Sequence, residues 1–132
     1  MIGLDTNVIV RYIVQDDPVQ GELATRVFED KLTHAERGFV SAVTLCEVVW
    51  VLKRGYKVEK SELVRVVQSL LEAEELEIEN RDLVWYALSD YKAGKADFSD
   101  YLIGRKGTAA GVSTTLTFDE TAAKSDLFTL VQ

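Results

Sequence analysis

Four acidic residues stand at positions where their carboxylates could share a chemical task. Asp5 ends the apolar run MIGL, and Asp119 ends the β-branched run VSTTLTF. Glu47 and Asp100 each lie near the start of a predicted helix, and Asp97 stands just before Asp100. Oxygen ligands without a partnering histidine or cysteine favour a hard cation, Mg²⁺ or Mn²⁺. If the four carboxylates converge, they could support metal-assisted attack on a phosphate.

Each of these acids also has a simpler interpretation as a helix cap, which gains about 0.3–1 kcal/mol from the helix dipole. The cap positions are Asp5 or Thr6, Asp119, the Thr44-x-x-Glu47 capping box and the relaxed Asp97-x-x-Asp100 box. Capping alone does not explain the joint pattern. One pair of carboxylates about 5 Å apart costs roughly 3 kcal/mol at an effective dielectric constant of about 20. A cluster of carboxylates is therefore stable only if protons or cations neutralise part of its charge.

The elements that would position the acids alternate between strands and helices. Strands are predicted at residues 1–5, 39–43, 76–79, 112–118 and 128–131. Helices are predicted at residues 7–14, 18–32, 44–54, 60–75, 81–94, 97–111 and 120–124, with Gly104 and Gly107 weakening the second half of the sixth. This alternation predicts an α/β fold with a central parallel sheet flanked by helices. Such sheets bind ligands at the carboxyl ends of their strands.

Length and composition are those of a small globular protein, and we expect residues 1–132 to form one domain. No apolar run approaches the roughly 20 residues that span a bilayer, and the N-terminus does not resemble a secretory signal. Cys46 is the one cysteine, so no internal disulfide is expected, which favours the cytoplasm. His34 is the one histidine, which disfavours a zinc site or a histidine-based triad.

The net charge of −7 argues against non-specific binding of nucleic acid, which normally depends on an excess of lysine and arginine. A nucleic-acid substrate is compatible with this charge if bound cations neutralise part of it. Basic residues clustered locally, or a basic partner protein, would have the same effect.

Four segments together resemble a known family. They are LDTNVIVRYIVQDDPVQ, CEVVWVL, KADFSDYLI and TTLTFDETAAK. In this order and spacing they are similar to the PIN-domain nucleases, and most closely to the VapC-type toxins of type II toxin–antitoxin pairs. The resemblance covers nearly the whole chain and implies a single PIN domain with a parallel sheet and flanking helices.

The resemblance implies a Mg²⁺-dependent endoribonuclease that leaves a 3′-hydroxyl and a 5′-phosphate, with Mn²⁺ as a substitute metal. It assigns the catalytic and metal-binding carboxylates to Asp5, Glu47, Asp100 and Asp119. Asp5 and Asp100 would be the main anchors. The supporting residues it implies are Asn7, Asp97 and Thr117, of which Thr117 fits the small hydroxyl residue of a T-x-D element.

The resemblance also implies partners: an RNA substrate, a VapB-like antitoxin and a second copy of the chain in a homodimer. Arg11, Arg105 and Lys106 are candidate contacts to the RNA backbone, and Lys53, Arg54 and Lys57 are further basic candidates. The apolar run from Val48 to Leu52 exceeds what one helical face buries, so we expect part of it to meet a partner.

Three other interpretations remain open. The chain could be a PIN-fold nuclease acting on single-stranded DNA, or a catalytically silent binding domain of the same fold. A phosphate-accepting receiver domain is a third, but it needs paired acids after the first strand, where only Asp5 stands.

Overall fold

The computed structural model describes residues 1–132, which divide into two compact units, Met1–Arg81 (unit 1) and Asp82–Gln132 (unit 2). Unit 1 contains β1 (Ile2–Gly3), α1 (Thr6–Val14), α2 (Pro18–Arg26), a π-helical turn (Val27–Lys31), β2 (Gly38–Val40), α3 (Ala42–Gly55), α4 (Lys60–Glu72) and β3 (Leu76–Ile78). Helix α5 (Arg81–Ala93) begins at the last residue of unit 1. Unit 2 continues with α6 (Phe98–Ala109), β4 (Thr115–Thr117), a 3₁₀ turn (Ala122–Lys124) and β5 (Phe128–Leu130).

The three strands of unit 1 form a parallel sheet in the order β1-β2-β3. Ile2 pairs with Gly38, and Val40 pairs with Ile78. Because the strands are parallel, their carboxyl ends share one edge of the sheet. The residues that follow these strands, including Asp5, are therefore delivered to the same edge. Helix α1 packs on α2 and α3, and α3 packs on α4.

Helix α2 begins where Asp17 followed by Pro18 predicts a helix start, since an acidic N-cap before a proline is typical of that position. The Asp17 side chain accepts hydrogen bonds from the backbone N–H groups of Val19 and Gln20, at 3.0 and 2.9 Å, and Pro18 occupies the first helical position. The Asp17 side chain thus satisfies two N–H groups at the start of the helix, and Pro18 has no N–H that needs an acceptor.

The strands of unit 2, β4 and β5, also pair in parallel, with Thr115 opposite Phe128 and Thr117 opposite Leu130. Buried aromatic side chains hold α5 and α6 together, since the rings of Tyr91 and Phe98 meet edge to face at 6.0 Å. The α/β class, the parallel pairing and the presence of all five strands agree with the sequence prediction. The strands form one sheet of three and one sheet of two, where one central sheet was expected. No helix combines the length and the apolar character needed to cross a bilayer.

The start of α3 differs from the prediction. The strand predicted at 39–43 ends at Val40, because Ser41 caps the helix: its Oγ accepts a hydrogen bond from the Thr44 N–H at 3.1 Å. The capping box predicted at Thr44 is therefore wrong, and so is the placement of Glu47 in the first turn. Glu47 lies in the second turn, where it does not act as a cap.

Helix α6 continues through both of its glycines to Ala109. At Gly104 the reason is close packing. A Cβ atom at this position would lie 2.9 Å from Leu127 Cβ and 3.0 Å from Phe128 Cε2, so the absence of a side chain lets the helix approach the start of β5.

Gly104→Ala should therefore lower the melting temperature. We expect an overpacking cost of about 1–3 kcal/mol, which exceeds the gain of about 1 kcal/mol in helix propensity. Gly3→Ala is the matched control, because a Cβ atom there would meet nothing within 4 Å. Thermal unfolding followed by circular dichroism measures both variants. A Gly104→Ala protein as stable as the parent would contradict the packing argument.

Candidate functional site

Asp5 follows β1 and caps α1, with an extended backbone (φ −86°, ψ 162°). Its Oδ1 accepts a hydrogen bond from the Thr6 N–H at 2.8 Å, and its side chain is exposed. The predicted capping role is thus confirmed. Capping occupies one carboxylate oxygen, and Oδ2 makes no hydrogen bond within unit 1, so Asp5 can cap the helix and still bind a cation.

Thr6 connects Asp5 to the second predicted acid. It is the one buried polar side chain of the chain, 6% exposed, and its hydroxyl donates a hydrogen bond to Glu47 Oε2 at 3.3 Å. Through this contact the structure brings Asp5 and Glu47 to the same edge of unit 1. From the sequence Thr6 was predicted only as an alternative N-cap to Asp5, and the structure gives the cap to Asp5. The bond from Thr6 to Glu47 was not predicted, because the two residues are 41 positions apart.

Asn7 and Arg11 lie one turn apart on α1 and both line a cavity of about 260 Å³ against α2. Asn7 is exposed, and the structure gives it no hydrogen bond to Asp5 or Glu47. The support that it is predicted to give the acids remains a prediction.

Arg11, a predicted RNA contact, belongs to a network of polar side chains. Its Nη1 donates to Asp16 Oδ1 at 3.1 Å and to the Tyr56 hydroxyl at 3.2 Å, and its Nε donates to Gln20 at 2.8 Å. The Tyr56 hydroxyl in turn donates to Asp16 Oδ2 at 2.9 Å. That bond, with the charge of Arg11, holds the pKa of Asp16 below its usual range.

The two acids of α6 form a reciprocal capping box, as the sequence predicts. The Asp97 N–H donates to Asp100 Oδ2 at 3.2 Å, and the Asp97 side chain accepts from the N–H of Asp100. The Asp97 side chain is exposed and that of Asp100 is partly buried. Each side chain is fixed by the backbone N–H of the other residue at the start of the helix.

Asp119 is held in its own turn after β4. Its Oδ1 accepts hydrogen bonds from the N–H groups of Thr121 and Ala122, at 2.8 and 3.1 Å. Its own N–H donates to Thr117 Oγ1 at 3.0 Å. Thr117, the predicted T-x-D hydroxyl, therefore positions the backbone of Asp119, and the second carboxylate oxygen makes no hydrogen bond within unit 2.

The two remaining predicted RNA contacts differ in their surroundings. Arg105 forms a bidentate ion pair with Asp90, at 2.7 and 2.8 Å, and its guanidinium lies 5.2 Å from the centre of the Tyr86 ring. The hydrogen bonds to Asp90 raise the pKa of Arg105. Lys106 is exposed.

The candidate residues offer oxygen donors, the type that a hard cation prefers, although no group of three or more histidine, cysteine or acidic side chains is arranged to hold a metal ion. In unit 1, Asp5 accepts a hydrogen bond on one carboxylate oxygen from the neighbouring Thr6 N–H, and Glu47 accepts one from the Thr6 hydroxyl. In unit 2, Asp119 accepts its bonds from Thr121 and Ala122 on one oxygen. Mg²⁺ usually takes only one or two protein carboxylates and keeps several waters. The residues present are of the type that such an ion requires.

The parallel strands and the helices that join them define an α/β protein, and acidic side chains follow β1 and β4. The PIN domain family model matches residues 2–126, which extend across both units, and the chain belongs to this family. It is also 26% identical to the VapC ribonuclease of Aquifex aeolicus (strain VF5) over 115 residues, which are 87% of this chain and 84% of that protein. These findings confirm the resemblance to VapC-type PIN nucleases, and nucleases of this family generally use divalent metal ions.

The Arg11 network gives a pH prediction. A depressed pKa of Asp16 stabilises the fold above the usual range of aspartate, and this stabilisation is lost as the pH falls through the lowered pKa. Tyr56→Phe should therefore raise the pKa of Asp16. It should also reduce the free energy of unfolding near neutral pH, by an amount that shrinks in acid.

A pH titration of the Asp16 carboxyl carbon by NMR measures the shift. Tyr12→Phe is the matched control: its ring stacks on Phe28 at 4.2 Å, but its hydroxyl makes no hydrogen bond. If the pKa of Asp16 is the same in Tyr56→Phe as in the parent, the Tyr56 hydroxyl is not the cause of the lowered pKa.

Proposed function

We propose that this chain is a metal-dependent endoribonuclease and the toxin of a toxin–antitoxin pair, acting in the cytoplasm. The observation that carries the proposal is the pairing of Asp5 with Glu47 through the buried Thr6, at the carboxyl edge of a parallel sheet. The likeness to a VapC ribonuclease supports RNA as the substrate.

The carboxylates have distinct roles in the proposal. Asp5 and Asp100 are the main anchors for Mg²⁺, or for Mn²⁺ in its place, and Glu47 holds a second ion or a metal-bound water. Asp119 completes the set and orients water. When bound, the ion would lower the pKa of a water molecule and stabilise negative charge on the phosphate. Thr6 holds Glu47, and the reciprocal bonds between Asp97 and Asp100 hold both of their side chains. Thr117 holds the backbone of Asp119.

The direct test is cleavage of a mixed RNA pool by purified protein freed of any partner, with Mg²⁺, Mn²⁺ or EDTA. Asp5→Asn and Asp100→Asn should each reduce the rate by more than the roughly 10–100-fold typical of residues that only support a metal ligand. The matched control is Asp30→Asn, which removes an exposed carboxylate from the π-helical turn and should leave the rate unchanged.

The RNA ends produced should carry 3′-hydroxyl and 5′-phosphate groups. Cutting that persists in EDTA, or that survives both substitutions, would contradict the proposal. Cutting of single-stranded DNA but not RNA would keep the metal chemistry and change the substrate.

Thr6 gives a separate prediction, because it positions Glu47 without being a ligand itself. Thr6→Val removes the hydroxyl while keeping the shape of the side chain. We expect a cleavage rate lower by about 10–100-fold and a higher Mg²⁺ concentration at half-maximal rate. Thr6→Ser keeps the hydroxyl and should recover most of the rate. Equal activity in Thr6→Val and the parent, in proteins of equal thermal stability, would show that the bond to Glu47 is not needed.

The proposed partners are a VapB-like antitoxin and a second copy of the chain. Of the apolar run on α3, Val48, Val49 and Leu52 are buried in the chain itself, as an ordinary core helix requires. Trp50 and Val43 are 63% and 69% exposed, and their spacing of seven places them on one face of the helix. This exposed face is where a partner would bind α3.

A further inference from the structure

A polar cavity of about 510 Å³ in unit 2 lies outside the predicted nuclease residues. Its lining comes from the end of α5, the start of α6 and the turn that precedes β5. The residues that matter to its chemistry are Asp90, Lys95, Tyr101, Thr121, Lys124 and Ser125. They are charged residues and hydroxyl residues, a composition that suits a polar ligand.

The side chains that line the cavity carry a net positive charge, although the chain as a whole is negatively charged. Asp90 is its one acid, and both of its carboxylate oxygens are bound by Arg105, at 2.7 and 2.8 Å. Lys95 and Lys124 are exposed and form no ion pair. Two ammonium groups are therefore available to an anion from solution.

Hydroxyl groups add hydrogen-bond donors beside these charges. The Tyr101 hydroxyl accepts a bond from the Ala96 N–H at 3.2 Å, which leaves its own hydrogen for another acceptor. Gly94 makes room for this hydroxyl, because a Cβ atom at that position would overlap it. Ser125 Oγ similarly accepts from the Leu127 N–H at 3.2 Å and can donate elsewhere. Ammonium and hydroxyl donors together match the oxygens of a phosphate.

The cavity adjoins the turn that holds Asp119. Thr121 lines the cavity, and its N–H donates to Asp119 Oδ1 at 2.8 Å. An anion in the cavity would therefore lie beside a carboxylate assigned to catalysis.

We propose that this cavity binds backbone phosphates of the single-stranded RNA substrate, next to the bond that is cut, through Lys95 and Lys124. The inference rests on the proposed nuclease function and adds the residues that hold the strand. Arg11 and Arg105 are less available for that task, because each would have to leave an existing ion pair with Asp16 or Asp90. Phosphate contacts of this kind bind single strands without reading their sequence.

The test measures the affinity for a fluorescent single-stranded oligouridylate by anisotropy, over a series of KCl concentrations at fixed MgCl₂. All proteins carry Asp5→Asn so that the RNA stays intact. Lys95→Ala and Lys124→Ala should each flatten the slope of log K against log[KCl] by about 0.7, since each lost phosphate contact releases that many fewer counterions. Lys95→Arg and Lys124→Arg should retain the parent slope. Lys31→Ala, an exposed lysine of unit 1, is the matched control and should also retain it.

A second readout uses active protein with Asp5 intact. The double variant of Lys95→Ala and Lys124→Ala should raise KM for the oligouridylate and leave kcat close to that of the parent, because the lost contacts hold the strand and take no part in bond cleavage.

Failure of the inference and failure of the proposed function give different results. Unchanged slopes in both alanine variants, or equal flattening by Lys31→Ala, would overturn the phosphate site while a parent that cuts RNA keeps its function. A parent that does not bind the oligouridylate would also overturn the site. In that case, cleavage of the mixed RNA pool still tests separately whether the chain is a nuclease.

Discussion

The hydrogen bond from the buried Thr6 hydroxyl to Glu47 is the contact on which the acidic edge of unit 1 depends. Thr6 sits directly after Asp5, and its N–H binds one Asp5 oxygen while its hydroxyl binds Glu47, so one residue sets the position of two carboxylates. The parallel pairing of β1 with β2 makes this possible, because it delivers the start of α1 and the start of α3 to the same edge. At Asp119 in unit 2 one carboxylate oxygen likewise accepts local backbone hydrogen bonds, and the other is the oxygen that the proposed function assigns to the metal site.

Capping and metal binding are therefore compatible explanations of the same acids. Asp5 caps α1, the pair Asp97–Asp100 caps α6, and Asp119 closes a turn, so each carboxylate gains a fixed orientation from local bonds. Glu47 is the exception, since Ser41 caps α3 and leaves Glu47 without that role. The buried Thr6 hydroxyl holds Glu47, which the proposed metal-binding role requires and helix capping does not. The net charge of −7 is compatible with the proposed binding of RNA through cations and a few local lysines.

The alternation of apolar runs with amphipathic segments was enough to predict the fold class and all five strands, because strand and helix periods differ locally. Asp17 and Pro18 were predicted in their roles because an acidic N-cap followed by proline is a local signal of a helix start. The start of α3 was not predicted, since Ala42 and Val43 continue the apolar pattern of β2 and only the Ser41 cap marks the change. The partners of Arg11 and Arg105 could not be predicted either. Tyr56 is 45 residues from Arg11, and Asp90 is 15 from Arg105, so folding alone brings them together.

The most direct test of the central claim, that these carboxylates hold a hard cation, is a Mn²⁺ titration followed by electron paramagnetic resonance. The signal of free Mn²⁺ disappears as the ion binds. We expect the parent protein to bind Mn²⁺, and Asp5→Asn in unit 1 and Asp119→Asn in unit 2 each to weaken the binding, whereas Asp30→Asn should not. A parent that binds no Mn²⁺, or variants that bind it as tightly as the parent, would contradict the proposed metal site and leave Asp5 and Asp119 as helix and turn caps.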